Sequence, residues 1–197
     1  MRPLIYNEGM GRVSQAQAQE NRKRVVDAAA RLFRERNVQA VSVADLMAEV
    51  GLTHGGFYKQ FASKEALLTE ATVQAFADLA ALLADFDAQH PDDHAAARED
   101  LIDYYLSPEH RDDVGAGCPT TGLASNIAGE DLEASARPAY AEGVELFARW
   151  LASDSDEDLA TLSTLVGALT LARATAGSDL SERILSAARK SLPSREA

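Results

Sequence analysis

The sequence has a single cysteine, Cys118, among 197 residues. An intrachain disulfide is therefore excluded, and a reducing cytoplasm is the expected setting. Aromatic residues make up only 6% of the chain, so the core must come mainly from Ala, Leu and Val. No strand-like alternation of any length and no internal repeat occur, which leaves a sheet without a sequence basis. No stretch reads as the roughly 20 apolar residues of a membrane helix, and residues 1–30 lack the apolar run of a signal peptide. No membrane association is expected. Nor is there a Ser/His/Asp arrangement, a phosphate-cradling Walker loop or a dinucleotide fingerprint. An enzyme is not expected, and neither catalytic residues nor a cofactor are assigned. His90 and His94 have the i, i+4 spacing of a helical metal pair, but Pro91 lies between them and no third ligand is evident, so no metal is assigned.

What the chain has in excess is negative charge, a net of −12, which on its face disfavours nucleic acid. The distribution reverses that inference. Residues 1–64 sum to +4 and residues 65–197 to −16, the pattern of a small basic reader on a large acidic body.

Ala, Leu, Glu and Arg dominate, which favours helix throughout. An amphipathic helix is expected from about Gln17 to Arg36, with Val25, Ala29, Leu32 and Phe33 on one face. Ser42 and Asp45 form a capping-box pattern for a short helix ending at Gly51. A third short helix, capped by Thr53, is expected over His54–Phe61. Ser63 caps a long fourth one carrying Leu68, Ala71, Ala75, Leu79, Leu82 and Phe86, ended by His90-Pro91. A helix near Ala95–Leu106, a polar loop from Pro108 to Gly117 and a short helix opened by Pro119 follow. The spacing from Leu132 to Leu151 predicts a further helix that Pro138 kinks or delays. Ser155 with Asp158, and Asp179 with Glu182, read as capping boxes for the last two, and the tail after Pro193 reads as frayed. The expected fold is all-α, with about nine helices. The expected organisation is an N-terminal arm (1–19), a three-helix DNA-binding unit (20–66) and a ligand-binding and dimerisation domain (67–197).

The densest signal is Ser42–Leu68, SVADLMAEVGLTHGGFYKQFASKEALL. Two short helices flank the turn Gly51-Leu52-Thr53, which is helix-turn-helix spacing. Val43, Leu46, Val50, Leu52, Phe57 and Phe61 are placed to form the small core between them. From about Arg22 to Leu68 the chain resembles the tetracycline-repressor (TetR) family of regulators. The helix spacing, the turn glycine, Tyr-x-x-Phe and Ser-Lys-Glu all agree, while Asn37 departs from the glycine usual there. The resemblance implies that the short third helix reads DNA, through Thr53, His54, Gly55, Gly56, Tyr58 and Lys59. Thr53 and His54 suit base edges or phosphates at a helix N-terminus. Gly55-Gly56 suits close backbone approach, and Tyr58 and Lys59 suit phosphates. Ser42 and Lys64, at helix N-termini, suit further phosphates. Arg22, Lys23 and Arg24 give the first helix a basic start, and Arg2 and Arg12 in the arm are placed to reach a minor groove.

The remainder is read as the sensing part. Phe76, Tyr104, Tyr105, Cys118, Tyr140, Phe147 and Trp150 are candidates to line a pocket for an apolar or aromatic effector; each also fits plain core. Glu145 and Asp103 would select a cationic ligand, or are simply solvated. Cys118, before Pro119 at a helix start, reads either as an electrophile-sensing thiolate or as a small packing residue. Leu162, Val166, Leu169, Ile184 and Ala188 are the expected dimer interface, or bury against their own chain. The functional expectation is a homodimeric repressor bound to a palindromic double-stranded operator and released by a small effector. An activator or effector-independent DNA-binding protein is the alternative.

Overall fold

The computed structural model describes residues 8–128, 136–152 and 156–193, with side chains from residue 15 onward. These residues form nine α-helices and two 3-10 segments, with no strand among them. The helices are α1 (Glu8–Glu35), α2 (Val43–Glu49), α3 (Lys64–Gln89), α4 (His94–Tyr105), α5 (Pro108–Asp112), α6 (Pro119–Ile127), α7 (Arg137–Leu151), α8 (Leu159–Ala174) and α9 (Asp179–Ser191). The 3-10 segments are Val38–Ala40 and His54–Lys59. The all-α reading holds.

Several boundaries differ from expectation for physical reasons. Helix α1 begins at Glu8, ahead of the expected Gln17. Its first turns carry no apolar stripe, but the Gln-Ala-Gln-Ala-Gln-Glu stretch that follows them holds good helix formers and no breaker. The expected loop after Pro108 contains a one-turn helix, with the Ser107 hydroxyl accepting from His110 N and proline in the first turn. Pro138 delays α7 rather than kinking it, because it lies in that helix's first turn. Leu132, Ser155 and the tail beyond Pro193 lie outside the described residues. The cap of α8 is Asp158, accepting from Thr161 N. Asp179 is the first residue of α9 rather than its cap, and Glu182 pairs with Arg111 instead.

Two hydrophobic clusters divide the molecule. One gathers Phe33, Leu46, Met47, Phe57, Leu67, Leu68, Ala71, Leu123 and Ile127. The other gathers Leu79, Leu83, Leu101, Ile102, Tyr105, Phe147, Leu151, Leu165, Leu169 and Leu185. Helix α3 runs through both, so whatever displaces it is felt in each. By length and mean hydropathy it is the one described helix apolar enough to cross a membrane, closer to that limit than the sequence reading allowed. Here it is the shared core helix, with Leu67, Leu68, Phe76, Leu79 and Leu83 buried and Val73 exposed. Helix α6 also bridges the clusters. The Asn126 side chain donates to Phe33 O (3.2 Å) and accepts from Val38 N (2.9 Å), while Cys118 at the other end joins the second cluster.

Candidate functional site

The helix-turn-helix is held by local hydrogen bonding that its residue types demand. The Ser42 hydroxyl accepts from Asp45 N, and the Asp45 carboxylate accepts from Ser42 N. The carboxylate also accepts from the Ser42 hydroxyl, and these two bonds from Ser42, the hydroxyl's foremost, hold Asp45 below the usual carboxylate range. Helix α2 ends at Gly51, at φ +68. Gly51 N donates to Ala48 O and Leu52 N to Met47 O, a Schellman pair that only a residue at ease in the left-handed region supports. Leu52 then packs on the core.

Behind this turn, His54–Lys59 is a 3-10 segment rather than the expected helix to Phe61. Two adjacent glycines lower its helix propensity, and Phe57 and Phe61, stacked 5.3 Å apart, anchor it to the core. Thr53, His54, Gly55, Tyr58 and Lys59 are all exposed; Tyr58, at 63%, is the most exposed large apolar side chain among the described residues. The Thr53 hydroxyl makes no capping bond. A Cβ on Gly55 would meet nothing within 4 Å, whereas one on Gly56 would touch Met47. Gly55 therefore faces outward with its backbone bare, and Gly56 faces the core.

The other candidate DNA contacts are partly engaged within the chain. Arg22 makes a two-pronged pair with Glu70 at 2.5 and 2.7 Å and lies over the Phe61 ring. Arg24 donates to Val50 O, clamping the end of α2. Lys23 is exposed, with Asp27 at 3.4 Å. The Lys64 ammonium donates to Val38 O, and burial lowers its pKa. Arg2 lies outside the described residues, as does the side chain of Arg12.

A cavity of about 240 Å³ opens between α1, α3, α4 and the start of α6. Of the seven expected pocket residues it brings together Tyr104, Tyr105 and Cys118. The other four are placed elsewhere. Phe76 packs over Gly143, where a Cβ would collide with its ring. Tyr140 donates to Thr120 O at 2.6 Å, Phe147 is fully buried, and Trp150 donates to Asp87 at 2.8 Å. Glu145 pairs with Arg149, and Asp103 with Arg189. His94 bonds Asp87 and Trp150 O, while His90 bonds Asp100, so the two imidazoles have separate partners.

The cavity also holds residues the sequence reading passed over, His110 and Arg34. His110 Nε2 accepts from Cys118 N (3.2 Å), which makes Nδ1 the donor to Tyr105 O (2.8 Å). Arg34 had a visible signal, a charge at helical spacing from Val26 and Ala30 on the apolar face of α1. Cys118 caps α6 and is 4% exposed. Gly117 is required beside it, since a Cβ would lie 2.5 Å from Asp113 O.

Helices α8 and α9 expose Leu159, Leu171 and Leu180, with Gly167 open to space. Val166, Ile184 and Ala188 are half-buried, packed against the second cluster. Leu162 and Leu169 instead turn inward and are buried against their own chain.

Residues 25–71 match the family described as bacterial regulatory proteins, tetR family. An uncharacterised HTH-type transcriptional regulator of Mycobacterium tuberculosis is 29% identical over 167 residues, covering 77% of this chain and 84% of that one. The fold is similar to a solved TetR-family regulator from Agrobacterium tumefaciens, with TM-score 0.71 and 16% identity, over 90% of this chain and 100% of the other. A TetR regulator from Chloroflexus aurantiacus gives TM-score 0.68 and 24% identity, over 89% and 93% of the two chains.

Proposed function

We propose that this chain, like the tetR family of bacterial regulatory proteins that its residues 25–71 match, is a DNA-binding transcription regulator, and that it is a homodimeric repressor whose operator is released by a small molecule in the cavity. The observation that supports this reading most is the His54–Lys59 segment, short, core-anchored and outwardly bare. Tyr58, Lys59, Thr53 and His54 stand around a glycine with open space before it. In this reading Tyr58 and Lys59 hold phosphates, Thr53 and His54 address base edges, and Gly55 lets the backbone come close. Arg22 and Lys64 act mostly by holding the unit together. The exposed apolar face of α8 and α9 pairs with its symmetry mate, setting two readers about 34 Å apart on a palindrome. An effector in the cavity favours a spacing of readers that no longer fits, since only differential affinity for two conformers drives a switch. Cys118 enters as a wall of that cavity, and its burial suits packing.

Fluorescence anisotropy on a duplex the protein selects provides the test. Tyr58→Ala weakens binding about tenfold or more without changing the melting temperature, as expected for loss of a contact worth about 1.5–3 kcal/mol. Lys59→Ala lowers the salt slope by roughly one unit. Unchanged affinity and slope in both variants would refute the placement of this face on DNA.

A further inference from the structure

The cavity wall includes a largely buried guanidinium, that of Arg34, with no hydrogen bond to any described residue. Arg34 is 8% exposed. Its stem crosses Gly122 of α6, where a Cβ would lie 2.9 Å from its Cγ. Among the described residues its Nε has no hydrogen-bond partner. Other shielded arginines are engaged: Arg98 with Leu151 O and Asp158, and Arg173 with the carbonyls of His110 and Arg111. Of the acids that act on it, Asp78 on the cavity wall and Asp113 are exposed; Asp78 accepts from Gln74 and Asp113 from Ala116 N. They favour the charged guanidinium from a distance, while burial works against it. A buried guanidinium N–H without an acceptor is unfavourable. It is relieved when an anion arrives with two oxygens in the fork geometry that arginine presents.

We propose that Arg34 is the anchor for a small ring-bearing carboxylate, its charge on the guanidinium and its apolar body among Leu79, Leu82, Leu101 and Tyr104. The cavity's 240 Å³ admits one substituted ring, not a multi-ring compound. Arg34 lies one residue before the end of α1, the helix that packs on α2 and α3. A carboxylate drawn to it therefore acts on the DNA-reading unit directly, without relay through the distant helices. This inference rests on reading the cavity as the effector site.

Calorimetry and thermal melting of the full-length protein test it, with benzoate, phenylacetate and 4-hydroxybenzoate against benzamide, benzylamine and inorganic phosphate. At least one of the three ring acids binds and raises the melting temperature, while benzamide, benzylamine and phosphate do not. Arg34→Met weakens that binding about tenfold or more, the loss of a charge-assisted pair. It leaves the ligand-free melting temperature equal or higher, because an unpaired charge has gone. Leu82→Trp, which fills the cavity and keeps Arg34, also abolishes binding. Three results would each overturn the assignment: failure of all three acids at millimolar concentration, equal binding of benzamide, benzylamine or phosphate, or acid binding that survives Arg34→Met. A neutral aromatic that releases DNA while the acids do not bind would remove this inference and leave the effector reading intact. Acid binding without DNA release would do the reverse.

Discussion

His110 lies between two backbone groups, accepting from Cys118 N and donating to Tyr105 O, with the rings of Tyr104 and Tyr105 about 5 Å away. Burial pushes its pKa below the ordinary 6.5, and Arg173 adds to the effect, against the raising influence of the bond to Tyr105. The unfolded chain takes up a proton near 6.5, while the folded chain resists it to a lower pH. The unfolded state therefore binds more protons in that window. Stability linked to His110 is fully present above 6.5 and is lost as pH falls below it. Urea denaturation at stepped pH values should show His110→Gln with a shallower loss of stability below pH 6.5 than the parent. An unchanged slope would mean that the imidazole is protonated equally in both states. Nothing in the sequence marked His110, since its partners are the backbone groups of Tyr105 and Cys118, which residue type does not reveal. Arg34, in contrast, was legible as a charge on an apolar face. Of the seven aromatic and thiol candidates only three reached the cavity, because aromatic identity signals burial and not which void a ring borders.

Among the elements, α6 ties the cavity to the end of α1 and the Val38–Ala40 segment. Its N-terminal end carries Cys118 and Pro119 on the cavity wall, and its far end carries Asn126, bonded to Phe33 O and Val38 N. Asn126→Ala leaves buried backbone groups without partners and should cost about 1–3 kcal/mol in chemical denaturation. A change within experimental error would mean that water or a shift of α6 supplies the missing bonds. Helix existence was well marked by capping residues, as at Ser42 and Ser63, whose bonds to Asp45 N and Ala66 N are formed. Boundaries were read less well where the signal was weak. The first nine residues of α1 have no apolar period, and Pro108–Asp112 is a single turn. The reader segment misled in a different way, since two glycines and a tight turn favour 3-10 geometry over a full α-helix.

At the scale of the whole molecule, α8 and α9 present Leu159, Leu171 and Leu180 to solvent, an apolar strip suited to a second copy. The pattern of the sequence marked these helices as interface but could not say which leucines turn inward, because both faces of α8 are apolar. If the proposed pairing holds, the parent is a dimer in light scattering and Leu171→Glu combined with Leu180→Glu should give a folded monomer. Leu162→Glu, buried in the chain's own core, should instead unfold it. Dimers that survive the double substitution would place the interface elsewhere.

The charge division, +4 over residues 1–64 against −16 beyond, favours a polyanion at the N-terminal part of the chain, and that is the central claim. Its most direct test is selection of duplexes from a random pool by the purified chain at physiological salt, followed by titration of the enriched sequence. The account predicts a palindromic site with half-sites about one helical turn apart, bound roughly 10³-fold or more above random duplex. An unenriched pool, or equal affinity for all duplexes, would contradict it.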